Sequence, residues 1–159
     1  MKTPIKKGFG FGLTSGIITT QGLIIGLNSS THSKSIILGG IIIIAIADAL
    51  SDSLGMHISE EANSKNSKKQ IWEATTSTFL FKFIFTLTFI VPILLLTLNT
   101  AIIASIIWGF LLISIFSYYI AKSNKQSPAK AIAEHLMITI IVIFATHFLG
   151  KFVNRIFGI

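Results

Sequence analysis

Five long apolar stretches alternate with short polar ones along this chain, over about residues 8–27, 36–61, 71–98, 101–121 and 131–152. At roughly 1.5 Å of rise per residue, each is long enough as a helix to cross the ~30 Å hydrocarbon core of a bilayer. The segments between them are brief: 28–35, 63–70 and 122–130 are polar, and Asn99-Thr100 reads as a tight uncharged turn. Short connections make consecutive helices antiparallel neighbours. The pattern predicts an all-α, polytopic membrane protein, with five transmembrane helices forming a single domain over 1–159. Composition agrees, at 52% hydrophobic and 12% charged residues with mean hydropathy +0.78. The first apolar stretch is too long for a signal-peptide core and no A-x-A site closes it, so it reads as a retained helix.

The second stretch, IILGGIIIIAIADALSDSLGMHISEE from Ile36 to Glu61, departs from the pattern at membrane depth. Asp48 and Asp52 are one helical turn apart and Met56 is one turn further. Together with Ser51, Gly55 and Ser59 they occupy a face roughly 140° wide at 100° per residue. From Lys34 to Asp48 is about 21 Å of helix, which places Asp48 near the bilayer middle. A carboxylate there costs about 2.5–3.5 kcal/mol on the insertion scale. Two on one face require a cation, a proton or a water-filled path, or else hydrogen bonds that lock helices together. His57 points almost opposite to Asp48 and reads as an interfacial histidine.

The first helix carries Gly8, Gly12, Ser15, Thr19, Gly22 and Gly26 on one stripe. Gly12 with Gly16, and Gly22 with Gly26, are small-xxx-small pairs that let helix backbones approach closely. Close helix packing is the reading preferred for these glycines, while Ser15 and Thr19, with Ser51 and Ser59, offer hydroxyls to a pathway. The third span opens with Trp72 and carries Glu73, the hydroxyl run Thr75 to Thr78, Lys82 and Pro92. Lys82 lies about 15 Å beyond Trp72. Two readings stand for it: a side chain that snorkels, or an internal counter-charge for an aspartate. Pro92 is expected to bend the helix near its far end. The fourth span ends in Tyr118 and Tyr119, and the fifth carries Glu134, His135 and His147.

Charge sets the expected orientation. The N-terminus, the 63–70 linker and the 122–130 loop hold nine of the thirteen Lys and Arg residues. That puts the N-terminus in the cytoplasm and, with five spans, the C-terminus on the opposite side, although Lys151 and Arg155 run against the rule. The formal net charge of +7 is then topogenic and calls for no nucleic acid. Glu60, Glu61, Glu73 and Glu134 are expected to gather at the cytoplasmic mouth. There is no cysteine, so neither disulfides nor thiolate metal sites arise. An intramembrane aspartyl protease needs aspartates from two helices sharing a proton; here both lie on one, and no enzyme is expected. Carboxylates beside a thioether suit Fe2+ or Mn2+ better than Mg2+ or Ca2+. Asp48, Asp52 and Met56 are therefore the candidate metal site, for a transported ion rather than a resident cofactor. A channel lined by the same face and a non-transporting membrane scaffold are the alternatives.

These residues carry a family resemblance. GLTSGIITTQGLIIGL (Gly12–Leu27) resembles the opening helix of the vacuolar iron transporter family. Ser51-x-x-x-Gly55-x-x-x-Ser59 resembles its second-helix S-M-x-x-G-E-Y-x-S segment. Pro92 and the five-helix plan also fit, and the likeness covers essentially the whole chain, with its sharp motifs in helices one and two. The resemblance implies a homodimer, with Gly12, Gly16, Gly22 and Gly26 packing it, that exports Fe2+ or Mn2+ from the cytosol in exchange for protons along a path between subunits. The departures are specific. Ser15 stands where the family has an aspartate, Asp52 where it has methionine, and Met56 where it has glutamate. Asp48 is an additional acid. The family's large glutamate-rich cytosolic domain is replaced by the short basic linker.

Overall fold

The computed structural model describes residues 3–158. Met1, Lys2 and Ile159 lie outside them, so Lys2, counted above in the basic N-terminus, has no structural placement. The described residues form helices α1 (Thr3–Thr31), α2 (Lys34–Glu61), α3 (Lys68–Thr88), the short α4 (Ile90–Leu95), α5 (Leu98–Ser123) and α6 (Pro128–Phe157). With α3 and α4 taken together, five segments are long and apolar enough to cross a membrane. This is an all-helical integral membrane protein.

Each apolar stretch gains helix at its start from flanking residues, and side-chain caps fix those of α2 and α3. Ser33 caps α2 by accepting from the Ile36 N–H. Ser67 and Gln70 form a reciprocal capping box at the start of α3, satisfying two amide donors that would otherwise be orphaned. Pro128 opens α6, where its missing N–H costs nothing, and Gly158 closes it in the left-handed conformation.

Two expected boundaries are corrected. The third span does not run unbroken to residue 98; α3 ends at Thr88 and α4 begins at Ile90. The break lies one turn before Pro92, whose ring conflicts with the carbonyl four residues back, that of Thr88. Asn99 and Thr100 do not form the turn. The chain reverses at Leu96 and Thr97, and Asn99 and Thr100 lie in the first turn of α5.

The central helix is α1, which packs against α2, α3, α5 and α6. Its glycines make this possible, in two seams. In the first half, Gly8, Gly12 and Gly16 face Ala74, Thr78 and Lys82 of the parallel α3; a Cβ on Gly12 would come within 2.4 Å of the Thr78 carbonyl oxygen. In the second half the partner is α6, where a Cβ on Gly22 would meet Val142 at 2.9 Å. One on Gly150 would meet the Gly26 carbonyl oxygen at 2.4 Å. The dimer-packing role expected for Gly12, Gly16, Gly22 and Gly26 is therefore corrected: these glycines are occupied by helices of their own chain. The outward faces of α2 and α6 are aliphatic and aromatic, with Ile43, Leu54, Phe144 and Phe148 all more than half exposed, as lipid-facing surfaces are.

If the first seam sets the α1–α3 distance, Gly12→Ala should lower stability in detergent by about 1–3 kcal/mol, the cost of overpacking. Gly55→Ala should be neutral or stabilising, because nothing lies within 4 Å of its Cβ position and alanine is the better helix former. Thermal unfolding of the two purified variants beside the parent checks the contrast.

Candidate functional site

The half-helix seam of α1 brings three charged side chains together. Gly16 has no side chain, so the Lys82 stem can lie against α1, with Cγ of Lys82 at 3.2 Å from where a Gly16 Cβ would be. Lys82 is fully buried. Its ammonium nitrogen is 2.5 Å from Oδ2 of Asp48 and 2.5 Å from Oδ2 of Asp52. It also donates to Ser15 Oγ at 3.0 Å. Three oxygens thus lie within 3.0 Å of the ammonium, those of Asp52 and Ser15 as hydrogen-bond acceptors and that of Asp48 as an ion-pair partner. Of the two readings left open for Lys82, the geometry is that of the counter-charge, with no snorkelling to the interface.

The hydroxyls on α1 complete the first layer. Ser15 donates to Asp52 Oδ2 at 2.6 Å, and Thr19 reaches Asp48 Oδ2 at 3.2 Å while also bonding the Ser15 carbonyl. Every contact to a carboxylate in the cluster uses its Oδ2 atom. The carboxylates themselves are only partly covered, with side-chain exposures of 32% for Asp48 and 22% for Asp52. They lie at the α1–α2 contact with Lys82 of α3 behind them, and the open side of this shallow cleft carries Thr19, Ser51, Gly55 and Ser59, all exposed. Counted formally, two carboxylates and one ammonium leave the cluster with one negative charge.

The α1–α2 contact continues on either side of the cluster. Toward the start of α2, Leu23 and Leu27 pack onto Gly40. Toward its end, Lys7 Nζ grips Glu60 at 2.9 and 3.1 Å, and the Asn66 amide donates to the same carboxylate at 2.9 Å.

Other expected site residues lie elsewhere. Met56 is half-buried on the α2 face, one turn beyond Asp52, and contributes no contact to the Lys82 cluster. Ser51 and Ser59 are exposed and hydrogen-bond neither aspartate. The acidic mouth is corrected. Glu60 is a buried ion-pair partner, and Glu134 is exposed on α6 beside Lys130 at 4.0 Å. Glu134 is also remote from the cleft, because α2 and α6 pack on different sides of α1. Glu61 is exposed and Glu73 half-buried, and no group of three or more acidic, histidine or cysteine side chains among the described residues is placed to hold a metal. Where a cation was expected between Asp48 and Asp52, the protein supplies its own in Lys82.

Sequence reasoning missed several polar pins. His57 Nδ1 lies 3.0 Å from Thr75 Oγ1, whose proton goes to the Ile71 carbonyl, so the imidazole is the donor. His147 meets Ser29 and His135 meets Ser117, each at 2.7 Å. Gln21, buried on α1, reaches the Ile106 carbonyl across a helix contact that Gly109 leaves room for. A signal existed for these only as isolated polar residues in apolar spans, which name no partner.

Removing Lys82 leaves two carboxylates unpaired at mid-span. Lys82→Met should therefore destabilise by about 3–5 kcal/mol, the cost of breaking a buried pair. Adding Asp48→Asn and Asp52→Asn to it should restore most of that loss. A triple variant as unstable as Lys82→Met, measured by thermal unfolding in one detergent, would show that the lysine acts by packing alone. The sequence matches no protein-family model and no curated protein, so the functional reading rests on this geometry.

Proposed function

We propose that this chain is a membrane transporter of small cations, working through the Asp48–Asp52–Lys82 cluster. The observation that carries the reading is the half-open pair of aspartates at mid-span. Lys82 neutralises one carboxylate from behind, while the formal excess negative charge faces an open cleft. An uncompensated charge in a low-dielectric span attracts a cation strongly. A cation arriving from the cleft shares the carboxylates with the lysine ammonium or displaces it, and Lys82 returns when the ion leaves. A resident counter-ion of this kind keeps the empty carrier from holding two bare carboxylates in the membrane.

The cargo proposed is a divalent transition metal, Fe2+ or Mn2+, exported from the cytosol in exchange for protons. Support comes from the oxygen-rich site, from Met56 one turn away, and from the family resemblance of α1 and α2. In this reading the lysine-rich end, with Lys7 and Glu60, faces the cytosol, and the C-terminus lies on the other side. A homodimer would use a face other than the glycine seams of α1, and the open flank of the cleft is available to it.

One observation favours a second reading, in which the cluster is a static lock inside a membrane scaffold: Lys82 is already held by two carboxylates and the Ser15 hydroxyl. The two readings differ in flux. In proteoliposomes, Fe2+ or Mn2+ uptake should exceed Mg2+ uptake, respond to a pH gradient, and fall at least about tenfold in Asp48→Asn/Asp52→Asn, as loss of a binding charge pair demands. Parent-level flux in that variant removes the aspartates from the path, and flux indifferent to the gradient indicates a channel. Absence of flux for every cation leaves the scaffold.

A further inference from the structure

We propose that a groove between the start of α1 and the end of α5 is a binding site for an anionic phospholipid. The groove holds about 300 Å3 and is lined by Lys6, Phe9, Tyr119, Ile120 and Ser123. It is amphiphilic along its length. Phe9 and Ile120 supply an apolar wall toward the membrane interior, and Lys6, Ser123 and the exposed Tyr119 supply polar groups at the end of the spans. That order matches a lipid, with tail inward and headgroup at the boundary, rather than a free ion or a peptide.

Lys6 is positioned there by the protein. Its ammonium donates to Ser123 Oγ and, at 2.9 Å, to Asn124 Oδ1. These are neutral acceptors, and no carboxylate among the described residues pairs with it. Its neighbour Lys7 is neutralised by Glu60. A third lysine stands close by in sequence to the groove's α5 wall: Lys122 lies over the Tyr118 ring at 5.4 Å and donates to its hydroxyl. Again no acid among the described residues compensates it. The segments 3–7, 61–69 and 122–130 hold eight lysines against the single acid Glu61, so the leaflet facing this end meets a positive surface. Lysines near a bilayer surface attract anionic headgroups, each by about fivefold in affinity. Among these lysines, Lys6 stands at the mouth of an apolar groove. The general charge draws the lipid, and the groove fixes one molecule.

The test uses the full chain in a non-ionic detergent, with bound lipid counted by native mass spectrometry. Dioleoyl phosphatidylglycerol is compared with dioleoyl phosphatidylcholine at equal concentration. One tight phosphatidylglycerol per chain is expected, weakened about fivefold by Lys6→Gln and retained by Lys6→Arg. Replacing Lys65, Lys68 and Lys69 together by Gln is expected to leave that one lipid bound. Equal binding of the two lipids would overturn the proposal, as would full binding by Lys6→Gln. An equal loss in the linker variant would mean diffuse attraction without a site. Displacement by millimolar inorganic phosphate would reassign the groove to free anions. The readout is independent of transport, so its failure leaves the proposed function standing and its success does not establish it.

Discussion

An ammonium fully buried in a membrane span is tolerable only if negative charge is held against it. That constraint organises the fold around Lys82. The price of burying an ion is several kcal/mol even after relaxation, and here the compensation comes from two helices at once: Asp48 and Asp52 from α2, and the Ser15 hydroxyl from α1. Such convergence requires α1, α2 and α3 to approach closely at one level. The glycine seam of α1 meets that requirement, since at Gly12 and Gly16 the α3 backbone occupies the space a side chain would take. Packing and electrostatics are therefore one device. The seam places the lysine, and the lysine makes the aspartates affordable.

The same cluster is asymmetric in a way that packing alone does not require. A pair of helices locked by one lysine and one aspartate would be neutral and closed. This one has a second aspartate, a formal excess of negative charge and a polar, exposed flank, with Leu23 and Leu27 on Gly40 at one end of the α1–α2 contact and Lys7 on Glu60 at the other. The ends differ in kind. One is an aliphatic contact, insensitive to ions; the other is a salt bridge with a hydrogen-bonded amide, at the water boundary.

Much of the fold was legible because hydrophobic length is a one-dimensional property. The five spans, the interfacial Trp72 and the costly position of Asp48 and Asp52 follow from residue order and helix rise. Where the reading failed, a partner was involved. The glycine stripe is a correct sign of close packing, but it does not name the neighbour, and α3 and α6 of the same chain occupy it. Glu60 reads as one of four mouth carboxylates until Lys7, 53 residues away, is found against it. The break before Pro92 was legible in kind and misplaced in position, because the steric conflict falls on Thr88, one turn back.

The chain's order of residues by itself determined that this is a five-span helical membrane protein, with two acids on one face at mid-membrane and its lysines gathered at one end. These are consequences of local periodicity and of transfer free energy, which each segment expresses alone. Only the tertiary structure decided what answers those acids. Whether Lys82 reached the interface or turned inward depended on how closely α1 packs on α3, and whether the α1 glycines faced another chain depended on which helices share its surface. Both are set by contacts between residues distant in sequence, and a side chain's partner in three dimensions has no periodicity to betray it.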